Sequence, residues 1–398
     1  MSLIRLVLLL ILSLAFKNIY AQSESDESAM INNFKGIQFK SPDSSFYINF
    51  RFRMQNRIGA FTTSGSDLSF NEYDARVRRL RMRVDGFLMN PNLTYSIQLA
   101  FTRGDQDVDN TGIANVVRDA IIFYHFTPHF HIGFGQNKLP GNRQRVNSSG
   151  QLQFAERSIV NGAMTLDRDF GLKAYYKNQI GGIHYQFKTA ITTGEGRSVN
   201  TTDNGLAYTG RFELLPLGPF TGEGDYSEGD LEREPKPKIS IAAGYSQNKK
   251  TNRTGGQLGK VLFSPVDMST WMIDAIGKYR GWAYSLEYIK RHVDAPLTFN
   301  SAGNLSYAFT GNGINHQASY IFPSNIEFAF RYSRLNPSTK IIAYETRKNI
   351  LELGSTKYFN KHRVKLQMSI NYLANNGNFS FSQPGNRWGF LTQFELGI

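Results

Sequence analysis

The 398-residue sequence has no cysteine. No disulfide framework can brace it, and no thiolate can act as nucleophile or metal ligand. Long apolar runs are nearly as scarce. The one that stands out, Leu6 to Phe16 behind Arg5, is too short to cross a bilayer as a helix. Mean hydropathy is −0.37, and no other stretch reaches spanning length, so a helical membrane protein is excluded. Catalytic signatures are missing as well. There is no Gly-x-Ser-x-Gly and no His-Glu-x-x-His, and the seven histidines are scattered without a steady acid partner. Gly255-Gly256-Gln257-Leu258-Gly259-Lys260 has the flavour of a phosphate loop but lacks its glycine spacing and the following Ser or Thr. No enzyme chemistry and no cofactor is expected.

What is present points to strands. Thirty Phe, 20 Tyr and 36 Gly stand beside 13 Pro and 19% charged residues, a balance that suits many alternating strands joined by flexible loops. Arg5, the apolar run and Ile19-Tyr20-Ala21 before Gln22 read as a secretory signal peptide over residues 1–21, with an uncleaved anchor as the alternative. Residues 22–45 are polar, acidic at Glu24, Asp26 and Glu27, and are expected to form a short periplasmic lead-in. Residues 46–398 make one domain. Formal charge is +13, and removing Arg5 and Lys17 with the signal leaves 13 − 2 = +11. That surplus fits an anionic partner, either a solute or a lipid head group. Export makes nucleic acid the least natural partner, and none is expected.

The most informative stretch runs from Asp74 to Thr102. In an extended chain successive side chains point to opposite faces, so Arg79, Arg81 and Arg83 share one face while Leu80, Met82 and Val84 share the other. After Met89-Asn90-Pro91-Asn92, residues Leu93, Tyr95, Ile97, Leu99 and Phe101 oppose Thr94, Ser96, Gln98 and Ala100. The same alternation sets Phe46, Ile48, Phe50, Phe52 and Met54 against Arg51, Arg53, Gln55 and Arg57. It recurs through the rest of the chain to Phe390, Thr392, Phe394, Leu396 and Ile398, giving about sixteen strands, although Glu345 to Thr356 is poorly patterned. Short turns at Asn90-Pro91, Thr127-Pro128, Asn178 to Gly181, Arg280-Gly281 and Pro323 to Asn325 alternate with longer loops, as in an outer-membrane barrel.

Energetics orients the arginines. One arginine on the lipid face near the midplane costs roughly 2–4 kcal/mol, so three on one strand would cost about 6–12 kcal/mol. Total stabilities are only about 5–15 kcal/mol. A soluble sandwich would also solvate one face, but it explains neither the signal peptide nor the closing strand without a polar cap. The expected fold is therefore all-β, a transmembrane antiparallel β-barrel with its arginines lining the lumen. The anion pathway is expected along Arg79, Arg81, Arg83, Arg51, Arg53, Arg57, Lys173, Lys188 and Arg211, with Glu156 and Glu327 as acids that could hold some of these cations. Guanidinium groups stay charged and present paired donors to oxyanions, and several modest sites in series let an anion step through.

The loops carry further expectations. Lys138 to Leu166 is long, lacks strand pattern and contains Lys138, Arg143, Arg145, Glu156 and Arg157, so it reads as an inward-folded constriction loop, with a mobile outer loop as the alternative. Asp105-x-Asp107-x-Asp109 begins like a calcium loop, but Val116 stands where the twelfth-position glutamate belongs, and a solvated acidic loop is the better reading. His129 and His131 lack a third ligand and read as solvated. Pro216 to Pro237 is a charged, Gly/Pro-rich loop and a candidate boundary.

Several motifs resemble a known family. Arg76-x-Arg78-Arg79-x-Arg81-x-Arg83-x-x-Gly86, Tyr95-x-x-Gln98, Gly135-Gln136-Asn137-Lys138-x-Pro140, Glu156-Arg157-Ser158 and Arg168-Asp169-Phe170-Gly171 follow the order seen in phosphate-selective porins O and P. Tyr320-Ile321-Phe322-Pro323 followed by Phe330-Arg331-Tyr332-Ser333 is similar too. The resemblance implies a sixteen-stranded outer-membrane porin, commonly a homotrimer, whose third long loop narrows a channel and whose arginine ladder passes phosphate or polyphosphate. The ladder carries over to Arg79, Arg81 and Arg83, and to Arg51 and Arg53. Ile398 departs from the family's usual terminal aromatic. The rival functions are a binding or adhesion barrel with a plugged lumen and a barrel hydrolase.

Overall fold

The computed structural model describes residues 36–199, 203 and 205–398. The expected signal peptide and most of the lead-in lie outside them. Nineteen strands follow in order: β1 (Ile37–Lys40), β2 (Phe46–Thr62), β3 (Phe70–Leu88), β4 (Asn90–Ala100), β5 (Val117–His125), β6 (Phe130–Lys138), β7 (Arg168–Ile180), β8 (Ile183–Thr192), β9 (Ala207–Leu215) and β10 (Lys238–Arg253). Then come β11 (Val261–Tyr279), β12 (Trp282–Val293), β13 (Leu297–Phe299), β14 (Leu305–Tyr307), β15 (Gly311–Ile321), β16 (Ile326–Pro337), β17 (Lys348–Asn360), β18 (Val364–Asn375) and β19 (Arg387–Gly397). Sixteen of them form one antiparallel barrel, closed where Gly397 to Gly389 of β19 pair with Arg53 to Phe61 of β2. Closure removes the open edge that a sheet in lipid cannot tolerate. β1 lies outside the ring and pairs with Tyr47 to Phe50, beside the end of β19. β13 and β14 form a small hairpin in the loop after β12.

Alternation decides the two faces. Outward positions carry Ile122, Phe134, Leu172, Phe187, Trp271, Ile273, Phe328 and Leu353, all exposed on the barrel surface. So large an apolar surface would be a liability in water and is what a hydrocarbon core requires. Among the described residues no helix is long and apolar enough to cross a membrane. Inward positions carry Gln55, Arg211, Glu213, Asp274, Glu287, Gln317, Glu327 and Gln393, all buried.

One end of the barrel has tight connections. Arg280 and Gly281 both take positive φ, 49° and 93°, the pair of left-handed residues that a two-residue hairpin matched to strand twist needs. Gly181 and Gly182 do the same after β7, so the turn sits later than Asn178 to Gly181. The exception at this end is 216–237. It folds up into the lumen, where Glu228 donates its backbone N–H to the Gln151 carbonyl and accepts from Gln144 Nε2 and Gln317 Nε2.

The residues between β6 and β7 enter from the opposite end, as the constriction-loop reading expected. Short helix Ile159–Met164 packs Val160 and Met164 with Leu139 and Leu166 against Met272, Ile289 and Leu335 of the wall. Polar ties do the rest. Glu287 accepts from the Gln144 backbone N–H at 2.6 Å, Arg291 donates to the Met164 and Thr165 carbonyls, and Lys365 Nζ donates to the Gly150 and Leu152 carbonyls. Two segments from opposite ends thus meet inside the barrel.

Candidate functional site

Pairing of β2 with β3 sets Arg51 opposite Arg83, Arg53 opposite Arg81 and Gln55 opposite Arg79. Directly opposed like charges repel, so this wall needs intervening acids. Asp85 lies between Arg51 and Arg83, 3.1 Å from Arg83 Nε. Asp105 accepts both Arg81 Nε and Nη2, at 2.5 and 2.6 Å, and lies 3.5 Å from Arg118. Arg53 donates to the Ser148 and Ser149 hydroxyls at 2.9 Å, and Glu395 is 3.7 Å away. Asp105 therefore corrects the solvated-loop expectation: helix Arg103–Gln106 swings it inward to neutralise Arg81. Burial raises its carboxyl, but Arg81 and Arg118 more than reverse that and hold it well below the usual range. Only Asp109 of that trio is solvent-facing, beside Arg103.

The arginine wall is longer than simple alternation allows. A bulge in β3 lets Gln55 pair with Arg79 while the next residue, Asn56, pairs with Val77. Arg78 is the extra residue, and beyond it the parity of the strand is exchanged. Arg76 then lies opposite Arg57 on the lumen side, and Val77 and Tyr73 face out. Sequence reasoning missed Arg76 and Arg78 as lumen residues. The signal was the adjacent pair Arg78-Arg79: arginines 76 and 78 fall on one parity, 79, 81 and 83 on the other, and only a bulge keeps all five out of lipid.

Glu156, near the middle of the inward loop, collects the upper arginines. It accepts from Arg57 at 2.5 Å and from Arg79 at 3.1 Å, and it also binds Arg78. Arg57 binds Asp74 as well. Burial raises the Glu156 carboxyl, yet Arg79, Arg78 and Arg57 together pull it below the ordinary carboxylate range. This loop residue is thus held as an anion among three guanidinium groups.

Below it lies a cavity of about 330 Å³ lined by Arg81, Arg118, Lys138, Arg145, Arg157 and Arg168. It meets two others, of about 1000 and 170 Å³, at Arg83 and Ser148. Two of its cations have no carboxylate partner among the described residues. Lys138 Nζ donates to the Val146 and Asn147 carbonyls, at 2.7 and 3.1 Å. Arg157 donates to the Gln144 and Asn147 carbonyls, at 2.6 and 3.0 Å. The buried Nε of Arg118 finds no acceptor there either. Carbonyl dipoles hold these side chains in place without supplying the counter-charge that a carboxylate would.

Other expected pathway residues are placed differently. Arg211 is 1% exposed and is clamped by Asp274 and Glu213, at 2.6–2.9 Å. Arg143 binds the same Asp274 at 2.8 Å, fastening the loop to the wall. Lys188 does line the cavity of about 330 Å³ but is tied to Glu213 and Tyr226. Lys173, 2% exposed, donates to the Asn137 and Asp169 carbonyls within the sheet. Arg145 pairs with Asp167. The structure does not bring Arg211, Arg143 and Lys173 to the arginine-wall cavities, because acids and carbonyls close by in the wall reach them first. Glu327 holds Gln153 and Tyr358 rather than a cation. His131 is half-buried on the lumen wall, its ring stacked on Tyr175 and His125. Among the described residues no group of acids and histidines is placed to hold a metal.

Comparison with known proteins agrees with this architecture. A protein of Aquifex aeolicus (strain VF5) described as uncharacterized is 23% identical over 374 residues, 83% of each chain. Salmonella typhi OmpF, solved in complex with daunomycin, superposes with a TM-score of 0.53 at 13% identity, covering 90% of this chain and 100% of that one. The anion-selective porin from Comamonas acidovorans gives 0.52 at 14% identity, over 89% and 100%. These likenesses show a shared porin fold. The family described as phosphate-selective porin O and P matches residues 48–386, and the chain belongs to it, an outer-membrane channel protein built as a sixteen-stranded barrel.

Proposed function

We propose that this barrel is a passive diffusion channel that prefers small anions, with phosphate or polyphosphate as its natural class. The single observation that carries the reading is the pair Lys138 and Arg157, half-buried beside the basic cavity and hydrogen-bonded only to carbonyls. A cation partly withdrawn from water without a counter-ion is costly, and a passing oxyanion relieves that cost while gaining charge-assisted hydrogen bonds of about 1.5–3 kcal/mol each. Arg53, Arg81, Arg83 and Arg118 continue the positive path on either side, and Arg51 and Arg57 extend it. Arg143, Arg211 and Lys173 act as fasteners. The reading includes export through a signal peptide cleaved after Ala21, assembly as a homotrimer in outer-membrane lipid, no nucleic-acid partner, no cofactor and no catalysis.

Planar-bilayer recording under a salt gradient tests this. The expected reversal potential reports anion preference, and millimolar phosphate interrupts the chloride current. A cation-selective reversal potential overturns the reading. Zero conductance from a folded, heat-modifiable barrel would transfer the protein to the adhesion class, and ester or peptide cleavage by the refolded protein would transfer it to the hydrolases.

A further inference from the structure

The basic cavity has a second wall of different chemistry. Phe123 of β5 and Tyr175 of β7 line it together with the cations. Their rings belong to one connected set on the lumen face. Tyr175 stacks on His131 with centroids 4.7 Å apart and planes 9° apart, and His131 stacks on His125 at 4.7 Å and 26°. Phe123 meets His131 and Tyr175 edge-on, at 5.8 and 6.0 Å. Register explains the row, since His125 pairs with His131 and His131 with Tyr175 across β5, β6 and β7. Gly133 explains Phe123: a Cβ there would stand 2.8 Å from the Phe123 ring, so glycine lets the ring lie flat on the wall.

Apart from Leu139, Pro140 and Val146, the rest of this cavity's lining is Arg, Lys, Gln, Asn, Ser and Asp, groups that water satisfies. Four adjacent rings on a wetted wall gain little from facing water, and their flat faces suit a ligand with a flat, weakly polar face of its own. The volume agrees. A cavity of about 330 Å³ has room for roughly ten waters and falls within the size of small-molecule pockets, whereas an isolated oxyanion of a few heavy atoms fills a fraction of it.

We propose that the cavity is matched to a phosphate monoester carried on a ring, a sugar phosphate, with its phosphate on Lys138, Arg157 and Arg118 and its ring against Phe123 and Tyr175. This rests on the anion-channel reading above and narrows it to a substrate class. The hydrocarbon face of the sugar replaces water on the aromatic wall while the cations hold the charged end, so each half of the ligand meets its own wall.

Single-channel recording with glucose 6-phosphate, inorganic phosphate and glucose tests the idea. In the wild-type protein the sugar phosphate should interrupt the current about tenfold longer than phosphate, equivalent to ~1.4 kcal/mol, and glucose alone should scarcely interrupt it. In the double variant Phe123→Ser, Tyr175→Ser the ratio of the two dwell times should fall to near one. Tyr175→Leu, which keeps apolar bulk but loses the flat face, should lower it part of the way and serves if the double variant does not fold. Equal dwell times in the wild type, or a ratio that survives these substitutions, overturn the proposal. If phosphate itself never interrupts the current, the underlying anion reading fails instead.

Discussion

The two sides of the lumen both carry cations and use them differently. On the side of β9 to β17, Glu213, Asp274 and Glu352 meet Arg211, Arg143 and Arg331 in buried pairs, and each charge is consumed in fixing the inward loop or the wall. On the side of β2 to β7, eight arginines of β2 and β3 share a handful of acids, and the loop cations Lys138 and Arg157 have carbonyls alone. The same residue types are therefore mortar on one side and path on the other. Only the local ratio of acid to base separates them.

Breaking the fastened side should have the largest effect. Asp274→Ala removes the carboxylate that Arg143 hydrogen-bonds and one of the two that clamp Arg211, and loss of one partner of such a buried pair costs about 3–5 kcal/mol. Urea unfolding followed by heat-modifiable gel migration should show it, together with a wider and noisier channel as the loop detaches. Unchanged stability would mean that the loop is anchored elsewhere. Next in size, Lys138→Gln with Arg157→Gln should lower the anion-to-cation permeability ratio at least tenfold, since each lost charge-assisted contact is worth about 1.5–3 kcal/mol. Arg211→Met is its counterpart, expected to cost stability while the permeability ratio stays put. Were Arg211→Met to shift selectivity as strongly as the loop pair, the division between the two sides would collapse.

Smaller effects sharpen the comparison. Glu156→Gln frees Arg78 and Arg79 and half-frees Arg57, so anion preference should rise a few-fold while stability falls by about 1–3 kcal/mol. A weaker anion preference in that variant would show that Glu156 orders the path rather than neutralising it. The smallest effect is its pH dependence. With its carboxyl lowered below the ordinary 4.5 by the guanidiniums despite burial, Glu156 contributes stability that is fully present above that value and is lost as the pH falls toward the lowered folded value. The stability gap between wild type and Glu156→Gln, measured by urea unfolding at about pH 7 and about pH 3, should therefore narrow in acid. A gap that stays constant would contradict the ion-pair account.

Much of the barrel was legible because lipid enforces alternation. The sixteen strands and the inward face of Arg79, Arg81 and Arg83 follow from the cost of turning them over. β17 was hard to see because Ser355 and Lys357 fall at outward positions between Leu353 and Phe359. The site was less legible, and the reason is distance along the chain. Arg211 looks free in sequence, and the carboxylate that holds it, Asp274, lies 63 residues away. Asp105 looks solvated until a short helix brings it to Arg81, 24 residues earlier. The long connection 216–237 could be read as a loop, but nothing local says that it turns inward to meet Gln151. Pairing across strands, not pattern along them, decides which charges remain available.

The bulge at Arg78 gives β3 a property that an unbroken strand lacks. Alternation works like a reading frame of period two, and elsewhere in these strands a one-residue insertion or deletion would put one half out of frame and send its arginines into lipid. Arg78-Arg79 is where β3 already shifts frame. Removing Arg78 would restore regular pairing there with Arg76 and Arg79 still facing inward, so this is a point in the strand where a lineage could gain or lose a residue, and a charge, without rebuilding the wall.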